Sequence, residues 1–178
     1  WAIPGTEGYT HILGGLEKDG ETGSISTDPE NHDLMDHLRW DKVARIPVPD
    51  LKVLGDEADA DLLIVGFGST YGHLYSAMEE LRRKGHKVAL AQFKYVNPLP
   101  KNTPEVLARY KKVVVAEQNL GQLAALLRIR INNFAPYQYN QVKGQPFVVS
   151  ELVSTFEKLL KAPLPKEESG TFYTKILQ

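Results

Sequence analysis

Three short apolar runs, each followed by a helical pattern, constrain this chain of 178 residues more than any other feature it has. Leu62 to Phe67, Lys87 to Phe93 and Lys112 to Ala116 are apolar through most of their length rather than at alternate positions. Strands of that kind are buried on both faces, which requires helices above and below a parallel sheet. The intervening stretches supply the helices. Tyr71 to Lys84 is closed by Gly85, and Thr103-Pro104-Glu105 opens a short helix ending near Arg109. Leu120 to Ile131 is a third, with Leu123, Leu126, Leu127 and Ile131 on its apolar side. Tyr137 to Val142 alternates like a last strand, Ser150 to Leu160 closes the pattern as an amphipathic helix, and Leu51 to Leu54 reads as a short edge strand. Right-handed crossovers return the chain to one sheet direction. The expected fold is therefore α/β, a three-layer α/β/α sandwich with a mostly parallel sheet of about five strands.

The flanks differ in character. Residues 1 to 27 are rich in Gly, Thr, Ser and Asp without periodicity, the composition of an irregular lead-in. Thr27-Asp28-Pro29-Glu30 then starts a helix, with a polar cap, proline at the first position and acidic side chains at the positive end of the dipole. It should run to about Ala44, with Leu34, Met35, Leu38 and Val43 on a shared face and His32, Asp36, Arg39 and Asp41 outward. Residues 162 to 170 are rich in proline and charge. The expected organisation is an arm with one helix over 1–50, the sandwich over 51–161 and a tail over 162–178. The chain opens on Trp1 rather than methionine, and it reads as a piece of something longer.

Composition narrows the chemistry. With a net charge of -1 and both signs interspersed, no single-signed field favours nucleic acid or an anionic membrane. The chain has no cysteine, which removes disulfides, thiolate nucleophiles and cysteine-ligated clusters from its own repertoire. Its apolar runs fall far short of the roughly 20 residues of a membrane helix, and it reads as cytoplasmic.

Two loops carry the candidate chemistry. Gly66-Phe67-Gly68-Ser69-Thr70-Tyr71-Gly72 joins an apolar strand to a helix, where sheets of this class gather ligands and helix amides favour anions. Its glycine spacing is not that of a dinucleotide loop, and the next strand ends Gln92-Phe93-Lys94 without the carboxylate that would bind a ribose. The plainer role is a tight turn with Ser69 or Thr70 capping the helix. The second loop, Glu117-Gln118-Asn119-Leu120-Gly121-Gln122, follows the KVVVA run and shares the same sheet edge. Glu117, Asn119 and Gln122 could orient a substrate or meet a partner there; alternatively Asn119 caps the helix and Gly121 allows close packing. Lys143, in Lys143-Gly144-Gln145-Pro146-Phe147, reaches outward while Phe147 returns to the core. The candidate subunit-contact or anion-binding positions are thus Gly68, Ser69, Thr70, Tyr71, Glu117, Asn119, Gln122 and Lys143. The histidines lack metal-ligand spacing and read as solvated or capping, and Ser69 lacks the setting of a hydrolase elbow. No catalytic or metal-binding residue is assigned. On residues alone, a small anion- or CoA-binding regulatory domain and a dimerisation module remain open beside a part of a larger enzyme.

Several stretches, in this order and spacing, resemble the carboxyl-terminal region of the α subunit of 2-oxoacid:ferredoxin oxidoreductases of the 2-oxoglutarate type. They are AIPGTEG (2–8), GGLEKDGETGSISTDPENH (14–32), GFGSTYG (66–72), NPLP (97–100), KKVVVAEQNLGQLA (111–124) and QVKGQPF (141–147). The resemblance implies a domain like the carboxyl-terminal domain of transketolase. It implies a thiamine-diphosphate enzyme that converts a 2-oxoacid and CoA to acyl-CoA and CO2 with reduction of ferredoxin. The expected partners are the β subunit and the amino-terminal part of the α subunit, with a homodimer as a further option. Thiamine diphosphate, Mg2+ and an iron–sulfur cluster belong to the complete enzyme, and none is expected on this chain alone. Many members have His where Lys18 stands, so no catalytic role passes to Lys18.

Overall fold

The computed structural model describes residues 3–8, 10, 14–163 and 176–177. Of the expected lead-in, residues 1, 2, 9 and 11–13 lie outside the described residues, and so do 164–175 and 178 of the expected tail. The chain divides into two compact units, Trp1–Ile46 and Pro47–Gln178.

The first unit holds helix α1, Pro29–Ala44. Asp28, in extended conformation, caps it by accepting a hydrogen bond from the Glu30 amide at 3.3 Å, and Pro29 occupies the first turn, where no amide is needed. The apolar face expected on α1 does not become core: the helix buries no residue, and Leu34, Leu38 and Val43 are exposed. A unit of this size with one helix cannot enclose an apolar stripe. The lead-in is more ordered than its composition suggests. Lys18 and Ile25 form an antiparallel bridge around a turn in which Asp19 Oδ1 accepts from the Thr22 amide at 2.8 Å, the Thr22 hydroxyl at 2.8 Å and the Glu21 amide at 3.1 Å.

The second unit contains β1 (Val53–Gly55), β2 (Leu62–Phe67), α2 (Tyr71–Arg83), β3 (Val88–Phe93), α3 (Thr103–Ala108), β4 (Val113–Glu117), α4 (Gln122–Arg130), β5 (Tyr137–Asn140), α5 (Val149–Lys161) and β6 (Ile176–Leu177). They form one six-stranded sheet in the order β1-β3-β2-β4-β5-β6, parallel except for β1 against β3. The strand beyond the expected five is β6, whose Ile176 pairs with Gln138 within the stretch expected as tail.

Alternation along the strands assembles two cores from one sheet. Leu62 and Ile64 of β2 face Leu74 and Leu81 of α2 and Leu152 and Phe156 of α5. Their neighbours Leu63 and Val65 face the other way, onto Val106 of α3 and Leu123 and Leu127 of α4. Helices α2 and α5 thus cover one face and α3 and α4 the other, giving the three layers. Each such side chain contributes about 1.5 to 3 kcal/mol on burial, so the doubly covered strands account for much of the driving force.

One half-buried cation fastens the layers at the amino edge of the sheet. Lys112 Nζ, beside the start of β4, donates to the carbonyls of Leu159 at 3.0 Å, Leu160 at 2.8 Å and Ala162 at 2.6 Å. A positive charge thereby satisfies the last carbonyls of α5 at the negative end of its dipole.

The connections decide where a site can form. Strands β2 and β4 are neighbours, yet β2 leaves through α2 on one face and β4 through α4 on the other. Their carboxyl ends therefore make a topological switch point, where the following loops diverge and leave space.

Candidate functional site

Both loops singled out in the sequence emerge at that switch point. After β2, Gly68–Thr70 forms a single 3-10 turn leading into α2. The turn is held from within: the Thr70 hydroxyl donates to the Phe67 carbonyl at 2.8 Å, and Gln92 Nε2 at the end of β3 donates to the Gly68 carbonyl at 3.1 Å. Gly66 is required by close approach, since a Cβ there would lie 2.3 Å from Leu74 Cδ1 and 2.9 Å from Thr70 Oγ1. Neither Ser69 nor Thr70 caps α2 through its side chain, contrary to expectation, because the extra 3-10 turn carries Thr70 back toward Phe67. Thr70 is buried, while Gly68, Ser69 and Tyr71 are exposed.

The second loop is a complete helix cap. Asn119 Oδ1 accepts from the amides of Gly121 at 2.7 Å and Gln122 at 2.9 Å. Glu117 takes the next two, with Oε2 on the Leu123 amide at 2.6 Å and Oε1 on the Ala124 amide at 3.0 Å. The opening amides of α4, which an isolated helix leaves unpaired, are thus satisfied in sequence by two side chains. Glu117 is fully buried, so it is corrected from a surface contact candidate to a structural residue. A carboxylate can sit there because two amides and the positive end of a helix dipole face it. Gly121, at φ +96, has the left-handed backbone that glycine allows, and a Cβ would come within 2.4 Å of Gln138 Oε1. That conformation starts α4 at Gln122 rather than at the expected Leu120.

Gln118 Nε2 donates to the Gln145 carbonyl at 2.6 Å, which ties the second loop to the segment after β5. In that segment Lys143 is exposed and Phe147 is buried, its ring edge-on to Tyr139 with centroids 5.5 Å apart. The sheet edge therefore brings together Gly68, Ser69, Tyr71, Asn119, Gln122 and Lys143 on successive strand ends, and withdraws Thr70 and Glu117 from solvent.

Sequence periodicity turned His32 outward, and it is exposed as expected, but it has a partner that periodicity does not reveal. Within the first unit, His32 Nδ1 lies 2.9 Å from Glu17 Oε2, and Arg39 Nη2 donates to the same oxygen at 3.0 Å. Asn31 Nδ2 donates to Glu17 Oε1 at 3.3 Å and to the Lys18 carbonyl at 3.2 Å, so the lead-in is pinned to α1. Glu17, His32 and Asp36 bring potential ligand atoms within 4.8 Å of one another. Arg39 also donates to Asp36 Oδ1 at 2.6 Å, and its guanidinium supplies the positive charge between the carboxylates. The Glu17 hydrogen bond, then the Glu17 and Asp36 charges, raise the His32 pKa above the usual histidine value. The His32 hydrogen bond is the largest influence lowering that of Glu17. The sign follows by linkage. The His32 contribution is complete below its ordinary value and is lost as pH rises through the raised one; that of Glu17 is present above its ordinary value and is lost as pH falls through the lowered one. Contact between lead-in and α1 should accordingly be strongest in mildly acidic solution and only partly lost above neutrality, where Arg39 still holds Glu17. An NMR titration should place the His32 midpoint above that of a free histidine, and Glu17→Gln should bring it down; an unchanged midpoint in Glu17→Gln would refute the pairing.

Comparison with known proteins agrees with this architecture. The family model described as pyruvate:ferredoxin oxidoreductase core domain II matches residues 60–151, more than half of the chain and the part that holds both loops. The chain is 48% identical over 152 residues to the 2-oxoglutarate oxidoreductase subunit KorA of Mycobacterium tuberculosis, covering 85% of this chain and 23% of that protein. It is 32% identical over 158 residues to the 2-oxoacid:ferredoxin oxidoreductase 2 subunit alpha of Aeropyrum pernix, covering 85% of this chain and 24% of the relative. Among solved structures, the 2-oxoglutarate:ferredoxin oxidoreductase of Magnetococcus marinus superposes with a TM-score of 0.72 at 34% identity, over 88% of this chain and 28% of that one. The chain thus spans about a quarter of the length of these relatives. With strands β2 to β5 and both switch-point loops inside the matched region, the chain belongs to the pyruvate:ferredoxin oxidoreductase core domain II family.

Proposed function

We propose that this chain is the core-domain part of the α subunit of a thiamine-diphosphate-dependent 2-oxoglutarate:ferredoxin oxidoreductase, and that it serves assembly rather than chemistry. The observation that carries the substrate class is the 48% identity to a 2-oxoglutarate oxidoreductase subunit over 85% of the chain. In the complete enzyme the reaction converts the 2-oxoacid and CoA to acyl-CoA and CO2 while ferredoxin is reduced. Thiamine diphosphate supplies the carbanion chemistry of that conversion when bound elsewhere in the enzyme.

The residues present do not fit the cofactors themselves. The carboxylate at the switch point, Glu117, is fully buried with its oxygens turned onto α4 amides, so it is not presented to a Mg2+-diphosphate. The chain has no cysteine to hold an iron–sulfur cluster. What this chain contributes is a rigid sheet edge on which Gly68, Ser69, Tyr71, Asn119, Gln122 and Lys143 are presented as contact positions. Residues 1–50 then serve as the arm joining the sandwich to the pyrimidine-binding part of the subunit, and the β subunit is the partner in trans. No described helix is long and apolar enough to cross a membrane.

The purified chain, given 2-oxoglutarate, CoA, thiamine diphosphate, Mg2+ and a viologen acceptor, is expected to give no turnover, whereas the complete enzyme containing it turns over. Turnover by the chain alone would overturn the assembly role. A complete enzyme that acts on another 2-oxoacid and not on 2-oxoglutarate would overturn the substrate class.

A further inference from the structure

The first unit, Trp1–Ile46, lacks what normally holds so short a piece of chain together. None of its described residues is buried, and there is no cysteine to make a disulfide. Units of this size usually need a disulfide, a bound metal or a partner in place of a core. The lead-in is tied to α1 through one polar cluster centred on Glu17. That residue stands just before the Lys18–Ile25 bridge, while His32, Asp36 and Arg39 come from successive turns of α1.

The His32 imidazole lies between two carboxylates, with Nδ1 2.9 Å from Glu17 Oε2 and Nε2 3.7 Å from Asp36 Oδ2. A carboxylate accepts from Nδ1–H, which leaves the Nε2 lone pair for a cation, the arrangement that orients histidine ligands in metal sites. One ligand atom from each of Glu17, His32 and Asp36 lies within 4.8 Å of the other two. A metal with bonds of about 2.1 Å spans ligands up to about 4.2 Å apart, so a closure of roughly half an ångström suffices. The cation now beside these groups is the Arg39 guanidinium, 3.0 Å from Glu17 Oε2 and 2.6 Å from Asp36 Oδ1. The Glu17 side chain is only 16% exposed, whereas that of Arg39 is 52% exposed on a flexible stem and can swing out without a change of backbone. Asp33 and His37 repeat the four-residue spacing on the same helix at 3.6 Å, but no lead-in carboxylate joins them, and His37 Nδ1 is taken by the Asp33 carbonyl at 2.8 Å. Helical spacing therefore supplies two of the groups, and the lead-in supplies the third.

We propose that Glu17, His32 and Asp36 bind one Zn2+ ion, which takes the place of the Arg39 guanidinium and staples the lead-in to α1. An imidazole with two carboxylates suits Zn2+, whereas Mg2+ and Ca2+ favour oxygen ligands alone. Water completes the coordination. The ion is structural: its binding free energy becomes folding free energy of a unit that has no core of its own. The site stands apart from the sheet edge and depends on neither the assembly role nor the substrate class.

The test is calorimetric titration of the full chain, first stripped of metal by a chelator, with Zn2+ and separately with Mg2+. One Zn2+ should bind per chain, and excess Mg2+ should not compete. His32→Ala and Asp36→Asn should each weaken binding by about 10- to 100-fold. Arg39→Gln should tighten it by about 10-fold, because a competing positive charge is removed, and His37→Ala should bind as the wild type does. These side chains are all exposed, so the variants should keep the fold of the sandwich. Hydrogen exchange gives a second readout: amides 18–26 should slow on addition of Zn2+ in the wild type and not in His32→Ala. The proposal is overturned if Zn2+ does not bind, if binding survives His32→Ala, or if it is lost in His37→Ala. Unchanged or weaker binding in Arg39→Gln would show the guanidinium to be no competitor and overturn it too, as would binding that leaves the exchange of 18–26 unaltered.

Discussion

Replacing Glu117 by alanine is expected to lower the unfolding free energy by about 3 to 5 kcal/mol, the largest effect of any single substitution at the switch point. The carboxylate accepts from Leu123 and Ala124 amides with both of its oxygens, and it is fully buried. Alanine leaves two buried donors without partners, each costing about 1 to 3 kcal/mol, and opens space at the start of α4. Glu117→Gln keeps one acceptor oxygen in the same place and should lose about half as much. Denaturant unfolding of the two variants checks the ordering. If alanine and glutamine proved equally mild, the carboxylate would not be the cap of α4.

The second large effect is at the other edge of the sheet. Lys112→Met keeps the apolar stem of the side chain but removes an ammonium that donates to three carbonyls at the end of α5. The expected loss is about 2 to 3 kcal/mol, because hydrogen bonds from a charged donor are stronger than neutral ones and the terminal carbonyls are left without it. The effect should be local as well as global. Amides in the last turn of α5 should exchange faster in Lys112→Met while those of β2 and β4 follow only the change in global stability. Uniform loss of protection across the sheet, with α5 no different, would contradict the clamp.

These two residues also mark the limit of what the sequence discloses. Strands β2, β3 and β4 are legible because both of their faces are covered, so continuous apolar character is the signal and it survives without knowledge of the neighbours. Asn119 was readable as a cap from its place just before a helix. Glu117 was not, because a carboxylate at a strand end looks like surface, and its burial depends on a helix whose amides turn back over it. Lys112 was opaque for the same reason: its partners lie 47 to 50 residues away in sequence. The apolar positions of α1 mislead in the opposite direction, since periodicity gives a face but not whether anything covers it. The pairing of Glu17 with His32 spans 15 residues across a turn and has no periodic signature at all.

The site follows the same division. That two loops meet at one sheet edge could be read from the order of strands and helices, and the switch point between β2 and β4 gives the physical reason. Which side chains of those loops are free to meet a partner could not, since Thr70 and Glu117 are consumed by the turns they stabilise. What stays exposed there is a mixture of polar and apolar side chains, Ser69, Tyr71, Gln118, Leu120 and Gln122.

The central claim is that the chain is one piece of a larger oxidoreductase, and native mass spectrometry of the purified enzyme tests it most directly. A single assembly containing the sequence of this chain, the rest of the α subunit and a β subunit in equal numbers is the expected result. An enzyme that assembles and oxidises 2-oxoglutarate without this sequence, while the chain itself runs free, would contradict it.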